Sequence, residues 1–200
     1  MSLGRLFGFS ADAALVGADV FIRAPEMRDF GEWAQLRAQS RAFLEPWEPT
    51  WPQDDLTRPA FRYRISLINE ERRRGETYTF FVFRRSDNAL MGGMTLGNVR
   101  YGVAQTTTLG YWMGEEFAGF GYMRQAVELA LDFAFLHLHL HRVEAACLPR
   151  NARSAGLLTR LGFQPEGLAR AYLQINGRWE DHLLFALLAS DLRPRAHTKA

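Results

Sequence analysis

The segment from Leu109 to Leu138 constrains the fold of this chain more than any other. Leu109-Gly110-Tyr111-Trp112-Met113 reads as a strand, and Glu116-Phe117-Ala118-Gly119-Phe120-Gly121 follows it. Met123, Ala126, Val127, Ala130, Leu131, Ala134, Phe135 and Leu138 then recur at steps of three and one, one face of a helix beginning near Gly119. A strand that feeds a helix through two glycines leaves the first helical N–H groups unpaired and unshielded, which suits a pyrophosphate. Glycine is also ordinary at turns and helix starts, so a plain turn remains an alternative at this point. Two nucleotide-binding patterns are excluded: Arg124 stands where the third glycine of Gly-x-Gly-x-x-Gly belongs, and no Gly-Lys-Ser/Thr is present.

Two hundred residues suit a single domain with a substantial core. Lys and Arg number 24 against 22 Asp and Glu, a balance that makes no general case for nucleic-acid binding. Cys147 is the single cysteine, so no internal disulfide forms, and neither a signal peptide nor an apolar run of membrane-spanning length is evident. A cytoplasmic protein with no membrane partner is expected.

Along the chain, residues 1–17 read as an irregular arm, 18–192 as one domain, and the basic tail 193–200 as disordered. Val20–Arg23 is a first strand, and a helix is predicted over 26–43. Leu44 to Pro52 holds three prolines and two tryptophans, which predicts a stiff extended loop. A second helix over 57–74 stops before Gly75. Strands over 77–84 and 89–99 flank the turn-forming Ser86-Asp87-Asn88, and 105–113 is a third antiparallel strand. After the glycine helix come a buried strand at 142–148, a short helix at 151–161 ended by Gly162, a less regular stretch, and a last strand at 183–188. The order predicts a mixed α/β sheet with helices on both faces and a ligand crevice beyond the strand ends.

With these residues quoted, the chain resembles the GCN5-related N-acetyltransferase (GNAT) superfamily, and within it the ribosomal-protein alanine N-acetyltransferases. Glu116-x-x-Gly119-x-Gly121 is similar to the Gln/Arg-x-x-Gly-x-Gly/Ala acyl-CoA motif, and Asn151-x-x-Ser154 with Leu161-Gly162-Phe163 is similar to the second family motif. The likeness spans about residues 20–190. It implies a mostly antiparallel sheet in which the strands at 105–113 and 142–148 splay to hold acetyl-CoA as co-substrate, with no metal. The implied acetyl-CoA contacts are Met113, Gly119, Phe120, Gly121, Tyr122, Met123, Arg124, Asn151 and Ser154. Asn151 equally suits a helix N-cap. Glu116 departs from the motif, and a carboxylate there is tolerable if it points to solvent.

Acetyl transfer to an amine needs a neutral nucleophile, a polarised carbonyl and a proton for the departing thiolate. An α-amine, with an ordinary pKa of about 7.7–8.0 against about 10.4 for lysine, asks little of a base. The tyrosine acid of many relatives is replaced here by Leu158, which leaves the Ser154 hydroxyl as the family-implied acid. Glu166, Tyr172 and Asp181 are base candidates beside ordered water, and Tyr172 is assigned with Ser154 to the catalytic set. Trp47, Trp51 and Tyr111 are expected to contact the acceptor, and Glu45, Glu48, Asp54 and Asp55 to attract a cationic peptide end. His137, His139 and His141 straddle a helix end and a strand start, so no metal site is expected, and Cys147 reads as a core thiol. The expected activity is acetylation of a protein N-terminal amine by direct attack in a ternary complex, in a monomer or homodimer. The alternatives are acetylation of a small amine such as a polyamine or aminoglycoside, and a non-catalytic acyl-CoA-binding module.

Overall fold

Parallel pairing between β5 (Thr106–Met113) and β6 (Arg142–Cys147) runs only from Thr106 opposite Arg142 to Leu109 opposite Ala145, although both strands continue beyond that point. This early parting opens a gap between the two strands. The computed structural model describes residues 13–191. Their strands form one eight-stranded sheet in the order β1-β2-β3-β4-β5-β6-β8-β7, antiparallel except at β5–β6. The remaining strands are β1 (Leu15–Val16), β2 (Val20–Arg23), β3 (Tyr78–Arg84), β4 (Leu90–Arg100), β7 (Gln164–Ile175) and β8 (Arg178–Leu188). Leu15 and Val16, within the expected arm, pair with Ile22 and Phe21, while residues 1–12 and the predicted tail 193–200 lie outside the described residues.

Alternation along the strands gives each face its own core. Phe80 and Val82 of β3 pack with Val20, Ile22, Leu109 and Val143 beneath α4 (Tyr122–Asp132), joined by Leu158 of α5 (Ala152–Arg160). Phe81 and Phe83, one step out of phase, pack with Trp33 and Leu36 of α1 (Phe30–Gln39) and Phe61 and Ile65 of α3 (Arg58–Arg74). Thr57 caps α3 by accepting the Ala60 N–H, and Gly75 ends it at φ 72°.

Three sequence expectations change. The helix predicted over 26–43 is broken into a 3-10 turn (Met27–Asp29), α1 and a short α2 (Arg41–Leu44). The break is at Ser40, whose buried hydroxyl accepts the Glu115 N–H and so ties the junction to the glycine segment. The loop after Leu44 begins with a 3-10 turn (Glu45–Trp47), because Pro46 sits where a helical turn needs no N–H, and extends only from Glu48. The irregular stretch after Phe163 is the long β7–β8 hairpin. Its β7 strand is almost wholly exposed and so lacks an apolar alternation, yet Asn176-Gly177, with φ of 43° and 79°, forms the turn that such a pair favours.

Among the described residues no helix is long and apolar enough to cross a membrane.

Candidate active site

From Gly110 onward β5 keeps β4 on one edge and has no strand on the other, so its backbone is free to bond a ligand lying in the gap. The far wall is built by α5. Asn151 starts that helix, its side-chain oxygen accepting the Ser154 N–H at 3.1 Å. Tyr111 reaches over from β5, and its hydroxyl lies 2.7 Å from the Ser154 Oγ. Burial pushes the Tyr111 phenol up to about 12, eased by the Ser154 hydrogen bond. Burial also raises the Cys147 thiol, and Ser154 again lowers it in part. Three groups able to hold or pass a proton thus meet where the strands separate.

Gly119 and Gly121 adopt φ of 91° and 84°, and a methyl on either would meet nothing within 4 Å, so the path to the helix is open. Because both are left-handed, α4 starts at Tyr122 rather than near Gly119. The first intrahelical bond goes from Gln125 N–H to the Gly121 carbonyl, which leaves the N–H groups of Tyr122, Met123 and Arg124 facing the gap's outer end. Phe120 is exposed there, and Arg124 pairs with Glu128 one turn along. Arg84 of β3, paired with Asp87, also bonds the Tyr122 side chain. The Met113 side chain is buried, so only its backbone borders the gap, and Glu116 is exposed.

The opposite face of the sheet carries a cluster that sequence reasoning missed. Arg37 of α1 is buried, donates from both Nη atoms to Glu48 at 2.7 Å each, and lies 4.0 Å over the Trp51 ring and 4.9 Å over that of Trp112. The Trp51 indole N–H donates to the same carboxylate at 2.7 Å. The Trp112 side chain fits because β4 has Gly92-Gly93 beside it: a methyl on Gly93 would lie 2.7 Å from the Trp112 Nε1. That glycine pair was the signal available in the sequence. Trp51 is therefore packed under Arg37, whereas Trp47 is half-buried and lies beside Arg150. Three of the four carboxylates expected to attract a peptide already hold arginines: Glu45 with Arg41, Glu48 with Arg37 and Asp55 with Arg64.

The two side chains assigned to catalysis are not neighbours. Ser154 belongs to the α4–α5 face, while Tyr172 lies on the α1–α3 face, bordering an open cavity of about 580 Å³ with Glu71, Glu76, Thr108 and Glu144. Tyr172 packs edge-on against His182, ring centroids 5.8 Å apart. Glu166 is paired with Arg142, which holds its carboxyl below the usual range, and Asp181 accepts the Ala171 N–H at 2.8 Å. His137, His139 and His141 fall on a widened helical turn, a left-handed residue (φ 52°) and the lead into β6, and no metal-binding group of three occurs among the described residues.

A family model for the acetyltransferase (GNAT) domain matches residues 19–164. The chain belongs to the GNAT acetyltransferase family. Within it, this acetyltransferase is 37% identical to the probable N-acetyltransferase YjcK of Bacillus subtilis over 88% of this chain and 98% of that protein. It is 33% identical to the [ribosomal protein uS5]-alanine N-acetyltransferase of Escherichia coli over 94% of this chain and 99% of that one. Among solved structures, Mycobacterium smegmatis RimJ in complex with CoA-disulfide superposes with a TM-score of 0.83 at 34% identity, covering 88% of this chain and 84% of that chain. The GNAT chain is thus an N-acetyltransferase similar to RimJ, on an open, mostly antiparallel sheet.

Proposed function

We propose that this acetyltransferase moves the acetyl group of acetyl-CoA onto the N-terminal α-amine of a protein, by direct attack in a ternary complex. The observation that carries the reading is the Tyr111–Ser154 hydroxyl pair at the unpaired edge of β5. The thioester lies along Gly110–Met113, the pantetheine against Asn151, and the pyrophosphate on the N–H groups of Tyr122 to Arg124. Backbone N–H groups of the free strand edge polarise the carbonyl. As the carbon–sulfur bond breaks, the Ser154 hydroxyl protonates the sulfur, and Tyr111, kept neutral by burial, supplies the proton that restores it. Leu158 occupies the position of the usual family tyrosine, and Tyr111 instead brings a phenol to Ser154 from the facing strand.

A ribosomal protein beginning with alanine is the acceptor class favoured by the uS5-alanine relative, and the amine enters from the Trp47–Trp112 side of the sheet. The cavity bordered by Glu71, Glu76 and Glu144 favours a second reading, acetylation of a polyamine. The test is CoA release with an alanine-starting peptide and with spermidine, in the wild type and in Ser154→Ala. Peptide turnover that collapses in the variant supports the first reading; spermidine turnover alone supports the second.

A further inference from the structure

We propose that His182 is the base that takes the proton from the attacking amine. The inference rests on the acetyl transfer proposed above, and it concerns a residue that no sequence motif marks.

His182 lies on β8, where Leu183 is opposite Cys147 and Leu184 opposite Ala146, so it sits just past the end of β6. That is the end at which β5 and β6 have parted. Its side chain shares the α1–α3 face with Glu144, since Glu144 is opposite Ala186 four residues along β8. β8 lies one strand spacing of about 4.8 Å from β6, and the gap opens along the other edge of β6, so an amine entering from that face meets the imidazole through a bridging water.

The ring is held rather than merely enclosed. His182 is only 3% exposed, and its Nδ1 is 2.9 Å from the Glu180 carbonyl oxygen. A carbonyl only accepts, so Nδ1 carries the hydrogen and the neutral ring keeps its lone pair on Nε2. Among the described residues no hydrogen bond occupies Nε2. Tyr172 fixes the other side of the ring, presented by a bulge in β7 where Ala171 has φ 45° and Asp181 accepts its N–H. The hairpin turn is in turn tied to the Trp-Pro loop, Asn176 N–H donating to the Glu48 carbonyl at 2.9 Å.

The carboxylates on the flanking strands and in the Trp-Pro loop have partners of their own. On its own strand Glu180 pairs with Arg150 and Asp181 with the Ala171 amide. On β6 Glu144 holds Arg142 and Arg100, and from β7 Glu166 holds Arg142. In the Trp-Pro loop Glu48 holds Arg37. In the step itself the carbon–nitrogen bond forms, the amine proton passes to Nε2, the carbon–sulfur bond breaks, and the thiolate takes the Ser154 proton. The imidazolium then releases its proton to solvent, and the hydroxyl pair regains one.

The test compares wild type with His182→Asn, which keeps a donor for the Glu180 carbonyl, and with His182→Gln, using the alanine-starting peptide and spermidine. With whichever amine is turned over, kcat/KM falls about 100-fold in both variants while acetyl-CoA affinity is unchanged. The acidic limb of log kcat/KM changes slope from about two, for His182 plus the amine, to about one, and added imidazole restores part of the rate. In nitrogen-15 spectra of the free protein the His182 ring carries its hydrogen on Nδ1. Full activity in His182→Asn, an unchanged slope, or an Nε2–H tautomer overturns the assignment. Spermidine turnover alone overturns the peptide reading while the slope still decides the role of His182, and turnover of neither amine overturns both.

Discussion

Tyr111 and Ser154, carried by a strand and a helix on opposite walls of the β5–β6 gap, meet hydroxyl to hydroxyl at 2.7 Å. Neither residue alone makes a strong acid. A serine ionises far above neutrality, and the Tyr111 phenol is pushed up to about 12 by burial. In the proposed mechanism they form a short relay that keeps a proton beside the leaving sulfur, whose ordinary thiol pKa of about 8.5 asks for little assistance.

Removing one member of that pair should slow chemistry without loosening the co-substrate. Ser154→Ala is expected to lower kcat about 100-fold and Tyr111→Phe about 10-fold, with acetyl-CoA dissociation constants within about twofold of wild type. Steady-state kinetics alongside calorimetric titration with acetyl-CoA separates the two effects. Equal kcat in all three proteins would remove the relay from the mechanism.

The same tyrosine has an alkaline signature. A group raised in the folded state contributes stability that is complete below its unfolded pKa and is lost as pH rises through the folded value. For Tyr111, and for Tyr78, which burial also pushes up to about 12, the window is about pH 10 to about 12. Unfolding free energy should decline across that window, and less steeply in the Tyr78→Phe/Tyr111→Phe double variant. Denaturant melts at graded pH provide the check.

Two glycines should fail in different ways. Gly121→Ala adds a methyl in open space but at φ 84°, costing about 1–2 kcal/mol and crowding the free N–H groups, so CoA affinity falls together with a moderate loss of stability. Gly114→Ala sets a methyl against Leu36 Cδ1, where α1 crosses the end of β5. There thermal stability should fall first. Melting temperatures and CoA titrations on both variants distinguish the outcomes.

Arg37→Ala should be costly because it strands a carboxylate. Glu48 loses its bidentate partner in a part-buried site, and Trp51 and Trp112 lose the guanidinium that joins them, so about 3 kcal/mol of stability is expected to disappear. Arg37→Lys should recover only part of it, since an ammonium cannot bond both oxygens in one plane. Chemical denaturation of the three proteins measures the difference.

What the sequence could disclose follows from how each feature is encoded. The apolar stripe from Met123 to Leu131 and the stop of α3 at Gly75 are local patterns that the structure keeps, while beyond Asp132 the helix widens into a π turn over Phe133–His137. The partners of Tyr111 and Arg37 are not local. Forty-three positions separate Tyr111 from Ser154, and no periodicity relates them. The β7 strand was hidden because an exposed edge strand needs no apolar alternation; its one legible sign was Asn176-Gly177. His182 was obscured for a different reason: its proposed role follows from the register of β8 on β6 rather than from neighbours in the chain.

The most direct measurement is mass spectrometry of an alanine-starting peptide with one internal lysine after incubation with the protein and acetyl-CoA. A single acetyl group on the α-amine, none on the lysine, and near-complete loss of product with Ser154→Ala are expected. Acetyl on the lysine, or an unmodified peptide in a reaction that acetylates spermidine, would contradict acetyl transfer to an N-terminal amine.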